Sequence, residues 1–227
     1  SGIRVEVVQT LLDLINHGHA PVVPSIGSLG ASGDLAPLAH MAMSLIGEGR
    51  FQSKIGGQWV DSDSQTVFSD IGREPVVLEA KEGLSLINGT SQMCSYLAEA
   101  SSLTSKLCDA ADAACAMSVE AIAGSHTPFD PRIHEIRHQA GQGKSASRIM
   151  EHLKESEIKE SHADCDRVQD AYSFRCAPQV HGAVFDVLDH VTKVVVSDAN
   201  SATDNPLIVP DGEGGYDVLS GGNFHGE

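Results

Sequence analysis

The stretch from Leu78 to Ala123 limits what this chain can become more than any other, because it is rich in Ala, Leu, Ser and Glu over a length that suits one or two extended helices. Asn88-Gly89-Thr90 interrupts it. Glycine there weakens helix continuity by about 1 kcal/mol, and Thr90 is a competent N-cap for the segment that follows. A second long helix is predicted from Pro178 onward, where Val180, Val184, Val187, Leu188, Val191 and Val194 to Val196 give a core-facing pattern; His181 on it reads as a packed or partly exposed residue. Near the start, Val5, Val8, Leu11, Leu12 and Ile15 recur at helical spacing. His17-Gly18-His19 and Pro21 end that element, with Gly18 in a left-handed cap and the histidines as polar capping groups rather than ligands. Gly47, Gly49, Gly56 and Gly57 break the pattern around a short hairpin expected at Phe51 to Val60. The predicted class is mainly α.

Between the first helix and the hairpin, Gly27-Ser28-Leu29-Gly30-Ala31-Ser32-Gly33-Asp34-Leu35-Ala36-Pro37-Leu38 runs from a glycine-dense loop into an apolar helix, expected from Leu35 to about Ile46 and buried on most sides. Asp34 suits the helix N-terminus and Pro37 its first turn. Two readings of the loop stand side by side. It can be a capping turn or an anion nest of backbone N–H groups. It can also be reactive: in Ala31-Ser32-Gly33 the Gly33 nitrogen can attack the Ala31 carbonyl. Loss of water there and from Ser32 would leave an exocyclic methylene on a five-membered ring.

Composition narrows the partners. The 227 residues carry 31 acidic against 15 basic groups, a net charge of −16 that argues against nucleic acid or an anionic membrane and leaves small, soluble substrates. No stretch approaches the ~20 apolar residues of a membrane span, and no signal peptide is evident, so the expectation is a soluble protein. Five cysteines without C-x-x-C spacing suggest neither a disulfide framework nor a zinc cluster, and fit a reducing cytoplasm. The sequence starts within helical pattern and stops directly after a glycine-rich motif, so it reads as one piece, 1–227, cut at both ends.

Two short patterns are weighed and set aside. His134-Glu135-Ile136-Arg137-His138 satisfies H-E-x-x-H, but the segment around it is short, starts at Pro131, gives way to Gly141 and Gly143 and lacks apolar flanks, so no metal is assigned. Gly141-Gln142-Gly143-Lys144-Ser145 imitates the end of a phosphate loop without its first glycine or a preceding strand; a solvated loop opening a helix at Ser145 to Lys154 is expected instead. In Val168 to Gln179, Arg175 is a fixed positive fork suited to an α-carboxylate, with Tyr172 and Gln169 within a turn if the segment is helical. The same pattern also suits a surface helix with one salt bridge. Asn200 to Pro206 is a turn cluster, and Gly221-Gly222-Asn223-Phe224 by itself means only a turn.

Taken together, GSLGASGDLAPLAH at Gly27 to His40, LINGT around Asn88, QDAYSFRC from Gln169 to Cys176, SATDNP from Ser201 and SGGNFHGE from Ser220 resemble, in order, the motifs of the histidine and aromatic amino acid ammonia-lyases. The resemblance implies a long-helix bundle of the ammonia-lyase/aspartase-like type, with a short hairpin and glycine-rich active-site loops. It implies a methylidene-imidazolone (MIO) group formed from Ala31, Ser32 and Gly33, with no metal. Asn88 would then face that group and the substrate, Gln169 and Tyr172 would line the pocket, Arg175 would hold the substrate carboxylate, and Phe224 would pack near the ring. Tyr172 is not the general base on this reading: the family's catalytic tyrosine loop and a substrate-facing histidine precede Ser1, and a side-chain-selecting glutamate follows Glu227. His138-Gln139-Ala140 departs from the family's His-Pro pairing before Gly-Gln.

QDAYSFRC and GNFHGE are more similar to the histidine enzymes than to those for phenylalanine or tyrosine. The implied reaction is elimination of ammonia from L-histidine to give trans-urocanate, a step of histidine degradation, in a cytoplasmic homotetramer with shared active sites. The piece alone is expected to be inactive. Whether the electrophile engages the amino group or the imidazole is open, as are action on tyrosine or phenylalanine, aminomutase chemistry, and a non-catalytic helical assembly module on the same scaffold.

Overall fold

The computed structural model describes residues 2–29 and 34–226, which form two compact units: residues 1–96 with 197–227, and residues 97–196. The chain is mainly helical, as its pattern predicts.

In the first unit, α1 (Val5–Asn16) ends at His17, and Gly18 takes φ 75°, the left-handed conformation that lets the chain turn at once into β1 (His19–Pro21). The sequence reading treats His19 as part of a polar cap. It is instead a buried strand residue, bonded through Nδ1 to Ser53 Oγ (2.8 Å) and through Nε2 to Asp70 (2.9 Å). The expected hairpin forms as β2 (Phe51–Ile55) and β3 (Gln58–Ser62), and β1 adds a third antiparallel strand. Helices α2 (Leu35–Leu45), α3 (Ser64–Asp70) and α4 (Glu82–Ile87) complete a core around Val7, Leu14, Leu45, Phe51, Val67 and Leu86. Phe51 and Phe68 meet edge to face at 6.3 Å. Burial of α2 is confined to Pro37, Leu38, Ala42, Ser44 and Leu45; Leu35 and Met43 lie exposed on the opposite face, so the helix is one-sided rather than enclosed.

The predicted break at Asn88-Gly89-Thr90 separates α4 from α5 (Ser91–Ala121), a helix about 46 Å long at 1.5 Å per residue. Only Cys108, Asp112, Ala116 and Val119 of it are buried. In the second unit, a 3-10 turn at Thr127–Phe129, α6 (Pro131–Glu135), α7 (Ala140–His152), α8 (Glu157–Ser161), α9 (Tyr172–Arg175) and most of α10 (Ala177–Ala199) gather around Ala116, Val119, Phe129, Ile149, Leu153 and Ala177. Two expectations change here. Residues 141–145 are not a solvated loop but the first turns of α7, with Gly141, Gln142 and Ser145 buried. The reason is a close crossing, since a Cβ on Gly141 would collide with the Gly182 carbonyl of α10, and the Gly141 N–H is capped by Asp186 Oδ1 at 2.8 Å. Nor is α10 a core helix along its length: Ala177, Pro178, Gly182 and Phe185 are buried, while Val180, Val184 and Val187 are exposed.

After α10, the strands β4 (Leu207–Pro210) and β5 (Tyr216–Leu219) form a second antiparallel hairpin in the first unit. Among the described residues no helix is long and apolar enough to cross a membrane.

Candidate active site

Ala31, Ser32 and Gly33, on which the electrophile reading depends, lie outside the described residues. Asp34 occupies the N-cap position of α2, but its carboxylate accepts a hydrogen bond from Ser28 Oγ instead of a helix N–H, so it ties together the two sides of the tripeptide in sequence. Gly27 sits at φ 146° in open space, and Leu29 is 99% exposed. In chemical terms Ala31, Ser32 and Gly33 contain every atom that the ring would need.

The first unit brings the LINGT, SATDNP and GGNF motifs to one place. Asn88 ends α4 in extended conformation, half-buried, and its Nδ2 donates to the Asn205 carbonyl at 3.1 Å. Its Oδ1 has no protein partner among the described residues. Asn205 also uses its side chain: Oδ1 accepts from the Gly221 N–H at 2.7 Å, while Asn223 Nδ2 donates to the Ala202 carbonyl at 3.2 Å. Phe224, half-buried, follows directly on this anchored turn. Gly89 must be glycine, since at φ 141° its Cβ would stand 2.9 Å from the Thr203 carbonyl oxygen. Thr90 precedes α5 as expected, but its hydroxyl donates to Asp198 Oδ2 at 2.6 Å rather than capping the helix. Behind Asn205, Lys81 is paired with the buried Asp204.

The second unit holds Gln169, Tyr172 and Arg175. The helix over this segment is shorter than the spacing argument assumes: α9 begins at Tyr172, and Gln169 belongs to the preceding loop. Gln169 and Arg175 nevertheless line one cleft of about 470 Å³, with Ser125, Thr127, Asp170 and Gln179. The Arg175 Nε donates to the Asp170 carbonyl at 3.0 Å, and its guanidinium lies 5.8 Å from the centre of the Tyr172 ring. Neither terminal nitrogen of Arg175 has a partner among the described residues. Tyr172 is 73% exposed, and the Cys176 thiol beside it pushes its hydroxyl above the ordinary phenol range, so it stays a neutral donor. The candidates therefore fall into two groups, one in each unit.

The H-E-x-x-H pattern does not present two imidazoles on one helix. α6 ends at Glu135, His138 takes φ 57°, and both ring nitrogens of the buried His134 are occupied, by the Pro128 carbonyl (3.1 Å) and Gln142 Nε2 (2.9 Å).

Residues that sequence reasoning passes over do much of the positioning. Asn205 and Asp170 stand inside quoted motifs without a role. Asp112, fully buried, accepts from Ser145 Oγ (2.7 Å), pairs with His181 Nδ1 (2.9 Å) and lies 3.3 Å from Arg148 Nε, so it ties α5, α7 and α10 together. Its signal is legible afterwards: a lone carboxylate on the stripe formed by Cys108, Ala116 and Val119.

The family model for aromatic amino acid lyases matches residues 1–227. The chain belongs to the aromatic amino acid lyase family. It is 47% identical over 227 residues to a histidine ammonia-lyase of Myxococcus xanthus, covering all of this chain and 43% of that protein. The lyase fold is equally evident in solved structures. The histidine ammonia-lyase of Trypanosoma cruzi superposes with a TM-score of 0.82 at 41% identity, over 100% of this chain and 41% of its own. A tyrosine aminomutase of Streptomyces globisporus gives 0.82 at 34%, over 99% and 44%. The lyase chain thus spans less than half the length of these relatives, and its mainly helical architecture is that of the family.

Proposed function

We propose that this lyase chain is one piece of the catalytic domain of an enzyme that eliminates ammonia from L-histidine, releasing trans-urocanate. The observation that carries the reading is Arg175, whose Nε is bonded within the protein while its two terminal nitrogens are left for a ligand, in a cleft shared with Gln169. A guanidinium edge of this kind recognises a carboxylate through two parallel hydrogen bonds. Histidine is preferred to the aromatic substrates because the quoted motifs are more similar to the histidine enzymes, and the Myxococcus xanthus relative bears that name.

In this reading Arg175 fixes the α-carboxylate and Gln169 offers an amide to the same ligand. Tyr172, kept protonated, donates a hydrogen bond and removes no proton. Asn88 presents its open Oδ1 to an ammonium or N–H group, held in place by the Asn205 carbonyl. Phe224 supplies an apolar face on a turn anchored to residues 202 and 205. The MIO group formed by Ala31, Ser32 and Gly33 would supply the electron acceptor that makes a poor leaving group and a weakly acidic β-hydrogen workable. No metal is assigned.

The complete protein is proposed to be a homotetramer in which copies share active sites, acting in the cytoplasm on a small amino acid with no nucleic acid or membrane partner. Exposed Leu103, Leu107, Val180 and Val187 on α5 and α10 support association, and the thiols of Cys108, Cys115, Cys165 and Cys176 suit a reducing compartment. Aminomutase or aromatic lyase chemistry is the second reading, favoured by the equal superposition of the tyrosine aminomutase.

Full-length protein supplied separately with histidine, tyrosine and phenylalanine tests the choice by the absorbance of the unsaturated acid and by released ammonia. Histidine should be consumed fastest, and this chain alone should produce no urocanate. Intact mass should lie two waters below the encoded value, a deficit that Ser32→Ala abolishes along with turnover. An active Ser32→Ala protein would end the proposal.

A further inference from the structure

We infer that Asp170 is a positioning residue that aims Arg175 at the substrate carboxylate; the inference rests on the reading of Arg175 given above. Asp170 is a carboxylate with a side chain only 4% exposed, on the wall of the cleft that Arg175 and Gln169 line. A buried carboxylate so close to a guanidinium would ordinarily capture it as an ion pair and occupy the edge a ligand needs. Here the carboxylate is already engaged. Its Oδ2 accepts from the Ser125 N–H at 2.6 Å and its Oδ1 from Arg167 Nη1 at 3.0 Å. Arg167 Nη1 in turn reaches the Ile122 carbonyl at 3.3 Å, so the loop is fastened to the residues that follow α5.

What Asp170 offers Arg175 is its backbone carbonyl. That acceptor takes Nε and so closes the side edge of the guanidinium, which pairs Nε with one terminal nitrogen. The end edge, formed by Nη1 and Nη2, remains for an incoming carboxylate, and the Tyr172 ring lies on one side of the plane. The side chain fixes where the main chain runs, and the main chain fixes which edge of Arg175 is presented. Arg167, half-exposed, balances the charge that would otherwise compete for Arg175.

The experiment uses the full-length protein with Asp170→Asn and, separately, Arg167→Gln. An asparagine at 170 would set its NH2 group against one of the two donors while its oxygen keeps the other, and the loop would shift. Two quantities are compared in each variant: KM and kcat for L-histidine, and the inhibition constant of histamine, which keeps the imidazole and amine but has no carboxylate. Asp170→Asn should raise KM about tenfold or more, the value of a charge-assisted hydrogen bond, with kcat changed by less than about threefold and histamine binding unchanged. Arg167→Gln should move KM in the same direction by less. Equal weakening of histidine and histamine would mean that Asp170 is only a structural staple, and unaltered KM in both variants would likewise overturn the inference. If Asp170→Asn yields no folded protein, the Arg167→Gln contrast decides on the same criterion. A wild-type enzyme that prefers tyrosine would overturn the histidine reading alone, and the comparison would then use tyrosine against tyramine. A wild-type enzyme inert toward all three amino acids would overturn both.

Discussion

Arg175 shows how a residue type becomes a site only through what surrounds it. Arg175→Lys keeps the charge but loses both the planar edge and the Nε contact to Asp170, so KM for histidine should rise roughly 10- to 100-fold, as steady-state kinetics would show. Tyr172 is held above its ordinary pKa beside Cys176, so its deprotonation moves to higher pH. Tyr172→Phe should lower kcat by about tenfold for the loss of one hydrogen bond, while the alkaline limb of the kcat/KM profile stays where it was. Glu82, at the start of α4, is a stabilising counterpart. Buried, it accepts from Arg4 Nε (2.8 Å), the Arg4 N–H (3.0 Å) and the Glu79 N–H (2.8 Å), and these donors, led by the Arg4 side chain, hold it down to about 2. A carboxylate depressed in the folded state contributes stability fully above its unfolded pKa, near 4.5, and loses it as pH falls toward 2. Urea midpoints should be level from pH 7 to 5 and fall between pH 4 and 2, and Glu82→Gln should flatten that fall.

At the scale of elements, Gly141, the second residue of α7, and Gly182, the sixth of α10, behave differently from Gly143. Gly141 backs onto Gly182, where any Cβ meets backbone, but Gly143 has only the His134 Cβ at 4.0 Å. Gly141→Ala should cost about 1 to 3 kcal/mol by forcing α7 and α10 apart, and Gly143→Ala should be neutral or stabilising by up to about 1 kcal/mol through helix propensity. Thermal or urea unfolding of the two variants measures both. The crossing explains why residues 141–145 are misjudged from sequence: glycine, glutamine and serine read as polar loop, yet here the small residues permit contact and Gln142 spends its amide on His134. By contrast the break at Asn88-Gly89-Thr90 is legible in advance, because a glycine weakens a helix locally, whatever it later packs against.

For the whole molecule, the two longest helices carry more apolar surface than either unit covers. Leu107 is 68% and Val187 62% exposed, the latter on a helix whose pattern reads as core. Light scattering on the full-length protein should report four copies, and Leu107→Glu combined with Val187→Glu should yield smaller species with activity reduced in parallel. Sequence alone determined the helical class, the position of the helix break and the hairpin, because propensity and turn chemistry are properties of short segments; the electrophile and the carboxylate clamp are proposals read from the same short motifs. Tertiary structure alone decided that Asp170 spends its carboxylate on Ser125 and Arg167 while lending its carbonyl to Arg175. It also decided that Asn205 joins Asn88 to the Gly221 turn and that Asp112 binds three helices. Ser125 lies 45 residues from Asp170, Asn205 lies 117 from Asn88 and His181 lies 69 from Asp112, and only packing brings a donor to so distant an acceptor.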